Sequence, residues 1–361
     1  MPPSYTTCLV TGGAGFIGTN FVRHTLKLHP RWRIVCLDAL TYAGNPANLA
    51  DLPARYPERY RFIHGSILDE QVLRSIFEEE AIAAVIHFAA ESHVDRSIHK
   101  PQAFIETNVN GTARLLAVCQ ETWETNGKPD DFRFLHVSTD EVYGTLGDEG
   151  YFTETSPYAP NSPYSASKAA SDHLVRAWHH TYGFPAIVTN CSNNYGPYQF
   201  PEKLIPLMIL NIRDERELPV YGDGTNIRDW LYVIDHCEAL LAVLEKGTVG
   251  ETYLIGGGAE KRNLEIVERL CTILDRCLER NEKNSSRNLI RFVSDRPGHD
   301  YRYAIDAAKI HEKLGWQARF RFEEAIETTV KWYLAHEDWV ERIRSGEYRN
   351  WLRTNYENRQ D

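Results

Sequence analysis

Between residues 7 and 190, short β-rich apolar runs alternate with segments whose apolar positions recur at about helical spacing. The runs CLVTG, RIVCLD, RFIHG, AVIHFAA, FRFLHVST and AIVTNCS predict six strands, and Phe16 to Leu28, Gln71 to Glu79, Phe104 to Thr122 and Tyr164 to Tyr182 predict the helices between them. Such alternation builds a parallel sheet with helices on both faces. The expected fold class is therefore α/β, a Rossmann doubly wound parallel sheet with a smaller, mixed α/β C-terminal lobe. After Asn190 the pattern gives way to Pro/Gly/Asn-rich stretches, SNNYGPYQFPEKLIP and YGDGTNIRDW, that break regular structure and supply polar side chains. Helices near Val233 to Glu245 and Leu264 to Arg280, and a strand near Glu251 to Ile255, follow. The expected division is a dinucleotide-binding domain over 1–190, rejoined by about 229–258, and a substrate-binding lobe from 191–228 and 259–361. The ligand is expected between them, over the strand ends.

Composition narrows the function classes. A chain of 361 residues that is 42% hydrophobic and 25% charged can bury one large core or two unequal ones. Its longest apolar runs are strand-sized, and MPPSYTT lacks the basic-then-apolar plan of a signal peptide, so no membrane association and a cytoplasmic setting are expected. A net charge of −10 argues against a nucleic-acid surface. The seven cysteines are scattered, with no Cys-x-x-Cys and no histidine cluster at zinc spacing, so no metal site is expected.

The turn after the first strand reads Gly12-Gly13-Ala14-Gly15-Phe16-Ile17-Gly18 and opens the first helix. Glycines there let backbone approach a pyrophosphate, which the positive helix N-terminus then holds. Asp38 ends the second strand, where a carboxylate accepts from the adenosine ribose hydroxyls and repels a 2′-phosphate. No arginine follows in DALTYAGN, so the reading is NAD rather than NADP.

Tyr164 and Lys168 in SPYSASKAASDHL stand four apart, on one helix face. A phenol near pKa 10 is a poor base at neutral pH, and a neighbouring cation lowers that value. The fifth strand ends in Ser138-Thr139-Asp140-Glu141, which puts hydroxyls and two carboxylates beside the cofactor crevice. Alcohol oxidation needs only a hydroxyl to assist Tyr164. Two more carboxylates either cap the next turn or add an acid and a base. Arg228 in NIRDW and Arg296 in DRPGHD stand in polar loops, where guanidinium groups suit a diphosphate.

These residues, with TGGAGFIG, HFAAESHVDRSI, STDEVYG and SDRPGHDYRYAID, mark a chain that resembles the extended short-chain dehydrogenase/reductase family, NAD-dependent epimerase/dehydratase type, nearly end to end. Within it the chain is closely similar to nucleotide-sugar 4,6-dehydratases. The resemblance implies dTDP-glucose as substrate and dTDP-4-dehydro-6-deoxy-glucose plus water as products of a deoxysugar (rhamnose) pathway, with NAD recycled in the site. It implies Tyr164, Thr139 and Lys168 at C4 oxidation, Glu141 as C5 base and Asp140 as C6 acid. Further cofactor contacts are implied for Gly12, Gly15, Phe16, Ile17, Gly18, Asp38, Ala39, Leu40, Thr41, Phe88, Ala89, Ala90, Glu91, Ser92, Thr107 and Asn194. Substrate contacts are implied for Ser92, His93, Thr139, Asn193, Lys203, Leu204, Pro219, Tyr221, Arg228, Asn263, Arg296 and His299. Where the family has Gly-Asp after the third strand, this chain has Gly65-Ser66-Ile67, so adenine contact is expected through Ser66 and Ile67 with weaker cofactor retention. A homodimer is implied through a four-helix bundle of Phe104 to Thr122 and Tyr164 to Tyr182. Leu115, Leu116, Val118 and Trp123 fit that bundle, and fit core burial equally.

Three other readings stand beside this one. A sugar-nucleotide 4-epimerase shares NAD, Tyr164 and Lys168 but needs neither Asp140 nor Glu141. A dehydratase of another nucleotide sugar would differ in the second-lobe loops. A catalytically silent NAD-binding protein would have no use for the Tyr/Lys pair or the carboxylates.

Overall fold

The computed structural model describes residues 7–343; the outer ends of the two expected domains, 1–6 and 344–361, lie outside the described residues. In chain order its strands are β1 (Thr7–Thr11), β2 (Arg33–Asp38), β3 (Tyr60–His64), β4 (Ala84–His87), β5 (Arg133–Thr139), β6 (Ala186–Cys191), β7 (Asn193–Tyr195), β8 (Leu218–Tyr221), β9 (Ile227–Tyr232), β10 (Thr252–Ile255), β11 (Glu260–Arg262) and β12 (Ile290–Val293). Seven of them form one wholly parallel sheet in the order β10-β6-β5-β4-β1-β2-β3. The strand order reverses between β1 and β4, which opens a crevice at their carboxyl ends.

The period-2 alternation of side chains explains why both faces are covered. Cys8, Val10, Ile34, Cys36, Ala84, Ile86, Leu135 and Val137 point into one buried cluster. Their neighbours Leu9, Val35, Leu37, Val85 and Phe134 point into another on the opposite face. The helix Phe16–Leu28 contributes Phe21, Val22 and Leu26 to the first, and the helix Thr112–Thr125 contributes Leu115, Leu116, Val118 and Trp123 to the second. Those last four are thus spent on the protomer's own core.

The second lobe holds a three-stranded sheet, β11-β9-β7, and a two-stranded one, β12-β8. Helices Leu204–Arg213, Asn263–Cys277 and Phe322–Ala335 bury Met208, Leu270 and Val330 in a core of their own. The second of these stops three residues before the expected Arg280, and Glu279 turns the chain away at a φ of 54°. One short helix from this half of the sequence, Ala308–Leu314, packs Ile310 and Leu314 into the first cluster beneath the large sheet instead. Among the described residues no helix is long and apolar enough to cross a membrane.

The stretch expected as one helix over Phe104 to Thr122 is built in pieces. Helices Val94–His99 and Pro101–Phe104 lead into a widened π-helical turn, Ile105–Gly111, and only then into Thr112–Thr125. Inside the wide turn the buried Asn108 accepts from the Glu91 N–H at 2.8 Å and donates to the Glu91 carbonyl at 2.9 Å and to Ser167 Oγ at 2.8 Å. Such local widening commonly marks a functional site. The helix Pro163–Tyr182 is delimited by sequence: Ser162 and Ser165 form a reciprocal capping box, Pro163 fills the first turn, and Gly183 ends it at a φ of 68°.

Candidate active site

The glycine turn lies against the end of β4. Gly12 has a φ of +71°, and a Cβ there would come within 2.6 Å of the Ala89 nitrogen. A Cβ at Gly18 would meet the Gly12 carbonyl oxygen at 2.3 Å, so the first turn of the helix sits directly on the loop before it. Gly15, the N-cap, offers no side chain to occupy the helix's first N–H groups, which leaves them for an anion. Asp38 is buried, with Oδ2 accepting from the Ala14 N–H at 2.9 Å and Oδ1 from the Leu40 N–H at 2.8 Å. Burial pushes its pKa up, and those two N–H groups oppose the rise.

Every residue expected at the cofactor, from Gly12 to Asn194, lines one cavity of about 410 Å³, except Leu40, whose backbone N–H is engaged by Asp38. The cradle a Cβ would fill, the helix N-terminus and the carboxylate at the end of β2 fit a dinucleotide without a 2′-phosphate. Ser66 lines the far end, where its Oγ accepts from the Leu68 N–H at 3.1 Å and keeps its O–H free to donate.

At the near end of the same cavity stand Thr139, Asp140, Glu141, Tyr164 and Lys168. Thr139 caps a short 3₁₀ turn, Asp140–Tyr143, and that turn swings both carboxylates over the end of β5. The Lys168 ammonium is buried and donates to the Val137 carbonyl at 3.0 Å. The expected depression of the Tyr164 pKa by Lys168 is not what prevails here. Burial, then the charge of Glu141, holds the phenol well above its ordinary value, opposed by a hydrogen bond with Thr139.

The two carboxylates differ sharply. Asp140 is 1% exposed, and its Oδ2 has no hydrogen-bond partner among the described residues. Burial, then the charges of Glu141 and Asp229, raises its pKa well above the usual range. Burial also raises the pKa of Glu141, but Arg296, Lys203 and Arg228 pull it back. Burial thus raises both carboxyls, and the cations near Glu141 oppose its rise.

Of the residues expected at the substrate, Ser92, Thr139, Asn193 and Lys203 line this cavity, and Lys203 Nζ donates to the Ser92 carbonyl at 3.0 Å. The other eight lie beyond it. His93 is buried beside it, and Leu204 opens the helix that Lys203 caps. Pro219 and Tyr221 are on β8, Arg228 is on β9, and Asn263 follows β11, which pairs with β9. The His299 ring is 6.1 Å from that of Tyr221, and its Nδ1 is 2.7 Å from Asp295. Arg228 donates to the carbonyls of Ile227 at 2.7 Å and Asp300 at 2.9 Å, and lies 4.3 Å from the Tyr303 ring centroid. Sequence reasoning gave no role to the buried polar residues Asp95, Asn108 and Asp300, although Asp95 lies in HFAAESHVDRSI and Asp300 in SDRPGHDYRYAID.

The pattern of the GDP-mannose 4,6 dehydratase family matches residues 9–329. The chain is 56% identical over 345 residues to a dTDP-glucose 4,6-dehydratase of Xanthomonas campestris pv. campestris strain B100, covering 95% of this chain and 97% of that one. It is 54% identical over 363 residues to dTDP-glucose 4,6-dehydratase 1 of Escherichia coli K12, covering 98% and 99%. Among solved structures, a dTDP-glucose 4,6-dehydratase of Streptomyces venezuelae crystallised with NAD superimposes with a TM-score of 0.85 at 46% identity, over 94% of this chain and 100% of that one.

Proposed function

The chain belongs to the dTDP-glucose 4,6-dehydratases of the extended short-chain dehydrogenase/reductase family, and from that membership we propose that it converts dTDP-glucose to dTDP-4-dehydro-6-deoxy-glucose and water. The observation that carries this beyond a simple dehydrogenase or epimerase is the pair Asp140 and Glu141, one buried with an Oδ2 that has no hydrogen-bond partner among the described residues, the other flanked by three cations, beside Tyr164. The glycine turn, Asp38 and Lys168 would hold NAD, which would supply a hydride acceptor at C4 and a hydride donor at C6. Tyr164, whose phenol the positive charge of a bound nicotinamide would bring down from its raised value, takes the proton of the C4 hydroxyl, and Thr139 steadies that oxygen. Lys168 holds its ammonium on the Val137 carbonyl, facing the cavity where the nicotinamide ribose would lie. Once C4 is a ketone the C5 hydrogen is acidic: Glu141 removes it, Asp140 gives its proton to the departing C6 hydroxyl, which leaves as water, and as C6 is reduced the proton held by Glu141 returns to C5. Arg228, Arg296 and Lys203 supply positive charge for the diphosphate. Their concentration in one place makes a net charge of −10 no obstacle to an anionic substrate.

The working unit is a cytoplasmic homodimer. Helices Thr112–Thr125 and Pro163–Tyr182 pack side by side, and their outer surface exposes Ala117, Ala166, Ala177 and Tyr182, with Ile105 at its edge. Small and apolar outward positions suit close helix packing against a second copy.

The decisive experiment incubates purified protein with dTDP-glucose without added reductant and weighs the nucleotide sugar. A mass loss of about 18 Da, that of water, with no net NADH supports dehydration with the electrons returned internally. Unchanged mass with a C4 epimer would make the protein an epimerase, and turnover of only another nucleotide sugar would move the base specificity.

A further inference from the structure

We propose that Asp95 is a positioning residue for nucleotide binding: its single buried carboxylate holds Arg296 and Tyr221 of the second lobe in the orientation that meets the substrate's diphosphate. The inference rests on the reading of Arg296 as a diphosphate ligand. Asp95 stands in the first turn of the helix Val94–His99, just beyond β4, and its side chain is 3% exposed. Its Oδ1 accepts from Arg296 Nη1 at 3.3 Å, and its Oδ2 accepts from the Tyr221 hydroxyl at 3.2 Å. These partners lie 201 and 126 residues away in sequence, so one side chain of the sheet domain ties down a strand and a loop of the other lobe.

The rest of the Arg296 fork is held open. Its Nε is buried and makes no hydrogen bond among the described residues, while Asp95 fixes Nη1. A guanidinium gains its advantage at a phosphate from a planar, bidentate approach, and free rotation forfeits it. A carboxylate near a diphosphate would also repel it. Here the charge of Asp95 is matched by Arg296 and both its oxygens are spent inside the protein, so preorganisation outweighs repulsion. Asp95 lies outside the residues that line the reaction cavity, which separates its role from that of the catalytic carboxylates.

The test uses the NAD-loaded enzyme, calorimetric titration with dTDP, and steady-state kinetics with dTDP-glucose for Asp95→Asn, Arg296→Gln and the double variant. Asp95→Asn is expected to weaken dTDP binding about tenfold and raise KM in proportion, with kcat within about twofold of wild type. Because it acts largely through Arg296, the double variant is expected within about threefold of Arg296→Gln alone. Asp95→Glu keeps the charge but moves it by a methylene, and is expected to fall between wild type and the amide; it carries the same comparison if the amide does not fold. Unchanged or tighter dTDP binding in these variants, with Arg296→Gln weakened, overturns the positioning role, as do fully additive losses in the double variant. An Arg296→Gln protein that binds dTDP normally overturns instead the reading of the site on which the inference stands.

Discussion

Asp140 and Glu141 are neighbours in sequence and opposites in surroundings. Asp140 faces burial and two other carboxylates, Glu141 and Asp229, while Glu141 faces Arg296, Lys203 and Arg228. A raised folded-state pKa means that Asp140's contribution to stability is complete below the unfolded value, near 4, and is lost as pH climbs through the higher folded value. Asp140→Asn should therefore stabilise the fold at pH 8, by about 1–3 kcal/mol, and much less at pH 5. It should also stop water loss while leaving C4 oxidation intact. Thermal unfolding at the two pH values, with NADH absorbance after substrate addition, checks both halves. A lower unfolding midpoint at pH 8 would sink the picture of a neutral buried acid. Activity should form a bell, falling at low pH as Glu141 takes up a proton and at high pH as Asp140 loses one.

At the scale of elements, turns do the work that regular structure cannot. The glycine turn brings backbone to the end of β4 at distances no Cβ tolerates, and the wide turn Ile105–Gly111 lets Asn108 clamp Glu91 to the helix that carries Tyr164. A methyl at position 18 would collide with fixed backbone rather than with a movable side chain. Gly18→Ala is accordingly expected to cost about 1–3 kcal/mol of stability and to strip most of the bound NAD. Denaturant unfolding and the nucleotide content of the purified protein measure the two effects, and a variant with full NAD and unchanged midpoint would contradict the close fit.

Across the whole molecule, the reaction cavity is closed by residues from both lobes: Ser92 and Glu91 from the large sheet's side, Asn193, Asn194 and Lys203 from the segment after β6. Dimerisation would brace the helix carrying Tyr164 and Lys168 from outside. Because Leu115, Leu116, Val118 and Trp123 are already buried in the protomer, they say nothing of a partner, and the proposed interface rests on the outward Ala117, Ala166 and Ala177. Ala117→Arg with Ala177→Arg, which places like charges on that face, is expected to halve the mass measured by sedimentation equilibrium without unfolding the protein. A wild-type protein that sediments as a monomer would remove the proposal, and a variant that remains dimeric would move the interface elsewhere.

The sequence by itself determined the α/β fold, because period-2 and helical-period patterns are local, and each strand of the large sheet reads as a run of residues that must be buried on both faces. The glycine turn, Asp38 and the Tyr164/Lys168 helix were legible too, because each acts within one strand–turn–helix unit; Ser66 and the other residues expected at the cofactor were legible only through the family resemblance. Only tertiary structure decided what depends on residues brought from far apart: the unequal environments of Asp140 and Glu141, the burial and the Glu141 charge that raise Tyr164, the clamp of Asn108, and the tether of Asp95 to Arg296 and Tyr221. Charges and desolvation act through space, and no spacing rule along a chain encodes which groups will face one another once two lobes close on a shared cavity.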